Sequence, residues 1–261
     1  MNNVNKTLYI PLYGKAYVSR KGLFLHDPKA EQVWAAEGFA LKGKSKSKWL
    51  AYYMGIRSAV FDKWLQQELS KEADAVVIHI GCGMDSRILR VNANGHQWYD
   101  VDFPQVIEES NRYFTDSSEY RMIAADVRDP RWLDSISKAH CAIVVMEGVS
   151  MYLTHQELFE ITSNLSAHFE RVFLLLDCYT TLAAKLSKSR NPIKDVGVTQ
   201  VYGLDDPTLL QTTSFLYEKE HELTPRKYIE ELKGFEKLLF SRLYAGKLSK
   251  KLYRLYEYRQ S

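Results

Sequence analysis

The sequence predicts an α/β fold in which a largely parallel, doubly wound sheet is covered by helices on both faces. Five short apolar runs, near residues 76–80, 97–101, 120–124, 141–146 and 172–177, alternate with segments of helical periodicity. Strands that are apolar along their whole length are buried on both faces, and helices between them are the usual crossovers of a parallel sheet. Ligands of such sheets bind at the carboxyl ends of the strands, so a functional site is expected there.

The residues before the sheet, 1–70, are expected to form an N-terminal helical section. Apolar residues recur at helical spacing over 53–65, which predicts a helix that lies against the sheet and leads into the first strand. Before it, residues 42–48 alternate lysine with serine and glycine. That pattern is typical of an exposed loop, with an anion site as the less favoured alternative.

The turn after the first strand carries the most informative motif of the chain. Gly81 and Gly83 follow the apolar run directly, and glycines there allow a tight turn and a close approach of a ligand to the backbone. A dinucleotide-binding turn has a third glycine, and Ser86 occupies that position. The missing glycine favours S-adenosylmethionine, which has no phosphate, over a dinucleotide.

Acidic residues close the next three strands. Asp102 ends the second strand and suits the two ribose hydroxyls, Asp126 follows the third and suits an adenine amino group, and Glu147 follows the fourth and suits an ammonium group. One such acid is usually a helix cap or a turn former. Three at one edge of a sheet indicate a binding site.

The other elements follow from local signals. Pro104 suits the first position of a helix, and Thr154 with Glu157 forms a capping box at the start of another. Residues 179–212 are long for a connection, and we expect an inserted lid there. A sixth strand is predicted over 215–223, one helix from Thr224-Pro225 to Leu239, and a last, antiparallel strand over 253–258.

Composition limits the possible functions. The chain has 261 residues and a net charge of +3, which suits one domain (1–261) and is too small to indicate a nucleic-acid partner. The excess of cations lies mostly after Arg226, and we interpret it as a solvated face. No apolar run approaches a membrane span, no leader is recognised, and no metal-ligand spacing occurs, so neither a membrane nor a metal is expected. Three cysteines fit reduced thiols of a cytoplasmic protein.

Beyond these local patterns, the chain resembles a known family over nearly its whole length. It is similar to the leucine carboxyl methyltransferase-like family of class I S-adenosylmethionine-dependent methyltransferases, in its bacterial polyketide O-methyltransferase branch. The motifs that carry the resemblance begin at Ile10, His26, Ile56, Ile80, Asp100, Ala125, Glu147 and Tyr202 and read IPLYGKA, HDPxA, IRSxxFD, IGCGMD, DxDxP, ADVRD, EGVSMYL and YGxDDP.

The resemblance implies a Rossmann-like fold, S-adenosylmethionine as cofactor, O-methyl transfer to a small molecule, and a role for each matching residue. Lys15 and Arg57 would bind the methionine carboxylate, and Gly81 and Gly83 would let the methionine part lie on the backbone. Asp102 would bind the ribose, Asp126 and the backbone of Val127 the adenine, and Glu147 the amino group. The family usually has a glutamate where this chain has Asp100. Without the resemblance, Lys15 and Arg57 would be interpreted as surface cations.

The acceptor and the chemistry at it are less well defined. A carboxylate acceptor is ionised near neutral pH and needs no base, whereas a hydroxyl needs one. We find no convincing base, which favours a carboxylate: His79 suits the core, and His26 and His155 suit structural or exposed positions. Tyr152 is the best candidate to contact the acceptor.

Two alternatives of other kinds stay open at this point. One is a nicotinamide-dependent oxidoreductase, which Ser86 disfavours. The other is an inactive methyltransferase-like binding module, which the intact cofactor positions disfavour. The sequence identifies neither the acceptor nor the oligomeric state, and it leaves open whether a protein C-terminus is a substrate.

Overall fold

The computed structural model describes residues 8–38, 41, 43–93, 95–187 and 200–260. Its centre is a seven-stranded sheet in the order β3-β2-β1-β4-β5-β7-β6. The strands are β1 (Val76–Ile80), β2 (Trp98–Asp102), β3 (Tyr120–Ala124), β4 (Cys141–Met146), β5 (Arg171–Tyr179), β6 (Leu216–Glu220) and β7 (Tyr253–Gln260). The first five are parallel, and β7 is antiparallel to both β5 and β6, between which it lies. The predicted doubly wound sheet and its seven strands are confirmed.

The central strands are buried because helices cover both faces of the sheet. Alternate residues of one strand enter different cores: Val77 packs with Val145 on one face, and Ile78 packs with Val144 on the other. Apolar side chains on both faces explain why these strands show no polar alternation in the sequence. The strand order reverses between β1 and β4, which places the topological switch beside the glycine turn.

Ten α-helices occur in the described ranges of the chain: α1 (Tyr9–Arg20), α2 (Pro28–Glu37), α3 (Lys48–Leu69), α4 (Arg87–Arg90), α5 (Pro104–Ser110), α6 (His155–His168), α7 (Thr181–Ser187), α8 (Arg226–Ile229), α9 (Gly234–Leu243) and α10 (Gly246–Leu252). The predicted N-terminal helix over 53–65 is the middle of α3. The capping box of α6 is present, and Pro104 begins α5 as predicted.

Helices α1 and α3 cross closely at two glycines. A Cβ on Gly14 would lie 2.7 Å from Cβ of Met54, and a Cβ on Gly55 would lie 2.6 Å from Cγ2 of Val18. Real Cβ atoms do not approach other carbon atoms so closely, so the two backbones meet only because both residues are glycine. This contact places Lys15 of α1 and Arg57 of α3 over the same edge of the sheet.

The single helix predicted from Thr224 to Leu239 is wrong. The structure has two short helices there, because Lys233 is extended and Gly234 has a positive φ of +51°. Leu232 remains buried, but Phe235 and Leu238 are 71% and 52% exposed. The apolar spacing is that of a helix, but the left-handed glycine starts a separate helix, in which Phe235 and Leu238 face solvent and Phe240 is buried.

The predicted insertion over 179–212 falls partly on residues 188–199, which lie outside the described residues. Its first part is the end of β5 followed by α7. Its last part returns along the sheet edge, where the N–H of Leu204 donates to the carbonyl of Tyr179 at 2.7 Å and the N–H of Tyr202 to that of Met151 at 2.8 Å. This returning part is held by the backbone of the sheet and its loops.

Candidate active site

A cavity of about 900 Å³ opens at the carboxyl ends of the parallel strands. All nine residues predicted for the site line it: Lys15, Arg57, Gly81, Gly83, Asp102, Asp126, Val127, Glu147 and Tyr152. They come from α1, α3 and the ends of four different strands or the turns after them. The edge of the sheet thus brings together residues that lie far apart in the sequence.

The glycine turn forms the floor of the cavity. Gly81 and Gly83 have φ values of +66° and +58°, a region that side chains with a Cβ rarely adopt. A Cβ on Gly81 would also lie 2.1 Å from Cγ2 of Val149 in the turn after β4. The chain therefore needs glycine at residue 81 both for its backbone conformation and for the packing of two turns.

Ser86 stands where a dinucleotide-binding turn has glycine, and in this structure its side chain forms a buried hydrogen bond to another segment of the chain. Its side chain is fully buried, and its Oγ donates to Oδ1 of Asp27 at 2.5 Å. Asp27 also caps α2 by accepting from the N–H of Ala30 at 2.8 Å. The serine thus joins the glycine turn to the N-terminal helices.

Asp102 is tied to the same turn. Its Oδ2 accepts from the N–H of Gly83 at 2.8 Å, and its Oδ1 accepts from the N–H of Phe103 at 2.7 Å. Burial raises the pKa of this carboxyl, and the two backbone donors counteract that effect. Both oxygens are therefore held in place at the cavity wall.

Asp126 and Val127 lie farther out, after β3. Oδ1 of Asp126 accepts from Nε of Arg128 at 2.9 Å, and this hydrogen bond to Arg128 is the main cause of the lowered pKa of Asp126. Arg128 reaches on to Glu157 at 3.2 Å. In the described structure the carboxylate of Asp126 thus has a cation as its partner.

The two predicted cations are buried, so the interpretation of Lys15 and Arg57 as surface cations is wrong. Each is only 3% exposed. Nζ of Lys15 lies 2.8 Å from Oδ2 of Asp85. Nε of Arg57 donates to Oε1 of Glu147 at 2.9 Å, and its Nη1 donates to Oδ2 of Asp177 at 3.0 Å.

Glu147 is the centre of this arrangement. Its Oε1 also accepts from Oγ of Ser58 at 2.9 Å, and its Oε2 accepts from Nη2 of Arg87. Burial alone would raise the pKa of Glu147, but Arg87, Arg57 and Lys15 together lower it to about 2. The carboxylate is therefore ionised throughout the physiological range.

Five residues of this buried charge network were not predicted from the sequence: Asp85, Arg87, Arg90, Asp177 and Tyr253. Arg87 is completely buried, and its Nε donates to Oδ1 of Asp62 at 2.7 Å. Nη1 of Arg90 donates to Oδ1 of Asp85 at 2.7 Å. The hydroxyl of Tyr253 donates to Oδ2 of Asp177 at 2.8 Å and accepts from Nη1 of Arg57 at 2.8 Å.

One signal for the network was available in the sequence. Asp85, Arg87 and Arg90 directly follow the glycine turn, and a cation-rich start of a helix beside an acid is unusual for an exposed surface. Asp177 closes the predicted fifth strand, as the other strand-end acids close theirs, and it contacts Arg57 directly. Tyr253 had no local signal, because it reaches the network through the pairing of β7 with β5.

The remaining wall of the cavity is apolar and aromatic. It is formed mainly by α3, α7, α9 and α10, and its larger side chains are Leu50, Tyr53, Met54, Tyr179, Leu186, Leu243, Tyr244, Leu248 and Leu252. Tyr152 lies half-buried in the short 3-10 turn Ser150–Tyr152 and also lines the cavity. This part of the cavity suits an apolar ligand.

The histidines lie as the sequence predicted. His79 is buried inside β1, where its Nε2 lies 3.0 Å from Nη1 of Arg87. His155 is exposed and contacts the carbonyl of Gly203 through Nε2 at 2.7 Å, and His26 is exposed as well. Of the three, only His79 lines the cavity, and Arg87 holds it at the back of the network.

Three further features of the described residues concern thiols, metal ligands and long apolar helices. Cys82, Cys141 and Cys178 are buried free thiols. Over the described ranges we find no group of three or more histidine, cysteine, aspartate or glutamate residues arranged to hold a metal ion. Within the same ranges no helix is both long and apolar enough to cross a membrane.

Comparison with known proteins identifies relatives over most of the chain. Tetracenomycin polyketide synthesis O-methyltransferase TcmP of Streptomyces glaucescens is 25% identical over 241 residues, which cover 91% of this chain and 89% of the relative. The S-adenosyl-L-methionine-dependent methyltransferase dpfgK of Gibberella zeae is 27% identical over 235 residues, with 81% of this chain and 79% of the relative covered.

Solved structures agree on the fold. A DUF574 family protein from Streptomyces avermitilis has a TM-score of 0.61 at 10% identity, with 90% of this chain and 92% of that chain covered. Magnesium protoporphyrin IX methyltransferase from Synechocystis with bound SAH has a TM-score of 0.53 at 13% identity, with 88% and 94% covered. The family model of leucine carboxyl methyltransferases matches residues 10–166, which is more than half of the chain and includes every predicted cofactor residue. The chain therefore belongs to the leucine carboxyl methyltransferase family, and it is an S-adenosylmethionine-dependent O-methyltransferase.

Proposed function

We propose that this enzyme methylates a carboxylate, or else a hydroxyl, of a small apolar molecule of the polyketide type, and that the residues around the glycine turn bind its cofactor. One observation carries the proposal: three strand-end carboxylates and two buried cations line a single cavity whose other half is apolar. The polyketide acceptor is proposed because TcmP is named for tetracenomycin polyketide synthesis. The three buried thiols favour the cytoplasm as its location.

The chemistry of the lining fits S-adenosylmethionine. Its methionine carboxylate is an anion that needs cations once water is excluded, and Lys15 and Arg57 supply them. Its amino group needs an anion, and Glu147 is ionised beside Arg57. Gly81 and Gly83 leave the backbone free of side chains at the floor of the cavity.

The outer residues fit the nucleoside. A fixed carboxylate such as Asp102 accepts hydrogen bonds from ribose hydroxyls. Asp126 and the backbone of Val127 supply an acceptor and a donor for the adenine edge, and Asp126 would then share its carboxylate between adenine and Arg128. Among the described lining residues around the nucleoside, Arg128 is the one cation that could bind a phosphate, and Asp126 already pairs with it, which favours a nucleoside over a dinucleotide.

The reaction requires little acid–base catalysis by the protein. When bound, the cofactor supplies a methyl group on a sulfonium, which is already a strong donor. The side chains then have to hold the acceptor oxygen in line and exclude water. Among the described residues of the acceptor half we find tyrosines and serines but no carboxylate or free histidine. This favours an acceptor that is already ionised, such as a carboxylate, and Tyr152 is positioned to contact it.

Calorimetry and methyl transfer test the proposal together. We expect S-adenosylmethionine and S-adenosylhomocysteine to bind and NAD not to bind. Binding of NAD alone would support an oxidoreductase and overturn the proposal.

Transfer of labelled methyl groups to an aromatic carboxylic acid such as naphthoic acid should give an alkali-labile ester. Naphthol serves as the matched hydroxyl acceptor, and binding of the cofactor without transfer to any acceptor tried would support the inactive binding module.

A further inference from the structure

The rim of the cavity has an unusual surface on α7, α9 and α10. Ten large apolar side chains are exposed among the described residues, and seven of them lie on these three short helices. We call this surface the mouth face; its apolar members are Leu182, Leu186, Phe235, Leu238, Leu243, Leu248 and Leu252. Soluble proteins rarely cluster exposed apolar side chains in this way unless the surface has a partner.

The same helices carry the positive charge of the chain. Residues 233–252 contain six lysine or arginine residues and one acid, Glu236, so the rest of the chain is slightly acidic. Glu236 is already paired, since its Oε1 accepts from Lys48 at 2.7 Å and its Oε2 from Tyr52 at 2.7 Å. The sequence had predicted a solvated basic face here. A solvated face explains the exposed lysines and arginines, but it does not explain the exposed leucines and Phe235.

In α10, cations and leucines occupy different sides of one helix. Leu248 and Leu252 are one turn apart and line the cavity, while Lys247 and Lys251 are one turn apart on another side and are exposed. In α9, Phe235 and Leu238 are exposed near Arg242. Apolar side chains flanked by lysines are the pattern of a helix that lies in a membrane interface.

We infer that the mouth face docks on an anionic lipid surface, so that an apolar acceptor passes from the lipid into the cavity. An anionic lipid surface matches the charge of this face. The cations attract anionic head groups, and the apolar side chains enter the boundary between head groups and acyl chains. Leu186, Leu243, Leu248 and Leu252 belong both to the exposed face and to the cavity lining, so the docked surface and the entrance coincide.

A protein partner fits these residues less well. A protein interface usually contains charges of both signs in its rim and aromatic anchors in its core. The mouth face offers one paired acid, and Phe235 is its one exposed aromatic anchor within the described residues.

Vesicle sedimentation tests the inference without any need for activity. The purified full chain is mixed with vesicles of phosphatidylcholine alone or with phosphatidylglycerol added. We expect it to sediment with the anionic vesicles only, and added salt should release part of it. K247Q/K251Q should weaken partitioning roughly twenty-fivefold, because each of the two lysines near an anionic surface contributes about a fivefold factor.

Matched variants separate the mouth face from general surface effects. F235S/L238S should weaken partitioning on anionic vesicles, whereas L209S/L216S, which changes two leucines that are 49% and 50% exposed elsewhere, should not. K63Q/K138Q is the corresponding control for charge, since both lysines are exposed and distant in sequence from the face. Circular dichroism verifies that each variant is folded.

Two outcomes would overturn the inference. The first is that the folded wild-type chain fails to sediment with anionic vesicles, or that all four double variants sediment equally well. The second is that the lipid-free chain is a dimer in light scattering and that F235S/L238S makes it monomeric, because the face would then be covered by a second copy.

Discussion

At the scale of single residues, Arg57 makes more hydrogen bonds within the protein than a cation needs in order to bind a ligand. It contacts Glu147, Asp177 and Tyr253 at the bottom of the cavity. Its planar fork holds its donors in fixed directions towards these groups, whereas a lysine carries a compact ammonium on a flexible stem. The position of the proposed carboxylate-binding cation is therefore set before any ligand arrives.

Replacing Arg57 should affect binding and stability to different degrees. We expect Arg57→Lys to weaken S-adenosylmethionine binding by about 1.5–3 kcal/mol, the usual contribution of a hydrogen bond to a charged group. Arg57→Ala should in addition destabilise the fold by about 3–5 kcal/mol, because it leaves buried acids without their cation. Calorimetry and urea unfolding measure the two effects. Arg112→Ala, on an exposed arginine, is the control; wild-type affinity in folded Arg57→Lys would contradict the assigned role.

The charge of Glu147 predicts a pH dependence of stability. Its folded-state pKa of about 2 lies below its usual value of 4.5. The ionised carboxylate therefore stabilises the fold above about pH 4.5, and this contribution, roughly 3 kcal/mol, is lost as the pH falls towards 2. Urea midpoints measured between neutral and acid pH should fall steeply for the wild type and less steeply for Glu147→Gln. Parallel curves for the two proteins would contradict the prediction.

The sequence predicted the residues around the cavity but not what they contact. Asp102 and Glu147 could be found because each ends an apolar strand. The pairing of Glu147 with Arg87 and of Arg57 with Asp177 joins α3, α4, β4 and β5, and no local pattern encodes a contact between residues so far apart. Long-range ion pairs follow from the fold, so they become visible only with it.

At the scale of elements, the turns after β1 and β4 pack directly on each other. Gly81→Ala should destabilise the protein by about 2–4 kcal/mol, since it adds both a left-handed alanine and a clash with Val149. Gly22→Ala is the matched control: its φ is +63°, but a Cβ there meets nothing within 4 Å, so only the backbone cost of about 1 kcal/mol should appear.

A double substitution isolates the clash. Val149→Ala removes Cγ2, so Gly81→Ala should cost less in that background than in the wild type. Urea unfolding of the four proteins gives the coupling energy directly. Equal costs in both backgrounds would show that the clash is relieved by movement of the loop.

Elements whose pattern is continuous were predictable from sequence, and elements interrupted by one residue were not. Four of the five parallel strands are buried on both faces, so their apolar runs are unambiguous, whereas β3 at the sheet edge is only partly buried. The segment from Thr224 to Leu239 has helical spacing throughout, but the positive φ of Gly234 divides it. A glycine inside a helical pattern permits such a break without requiring it, which is why the sequence alone did not decide.

At the scale of the whole molecule, β7 connects the last part of the described chain to the cavity side of the sheet. It pairs with β5 along its length and brings Tyr253 under Arg57. We expect Tyr253→Phe to lower stability by about 1–3 kcal/mol, because Asp177 and Arg57 both lose a buried partner. It should also weaken S-adenosylmethionine binding by loosening Arg57.

Tyr258→Phe is the control for this prediction. Tyr258 lies on the same strand but faces the other core, and its hydroxyl donates to the carbonyl of Pro207 at 2.9 Å. It should cost similar stability without any change in cofactor affinity. If Tyr253→Phe and Tyr258→Phe had the same calorimetric profile, β7 would have no special connection with the site.

The buried charge network also limits how this sequence can drift. Arg87 pairs with Asp62, Asp85 and Glu147, so losing any one of the four disturbs the balance of charge in the whole buried network. Single changes at these positions should therefore be strongly destabilising, whereas two simultaneous changes that replace a cation and an acid by apolar residues should leave the fold stable. Because the effects of such substitutions depend on each other, we expect the buried charge network to change by paired substitutions. The mouth of the cavity, in contrast, can change one residue at a time.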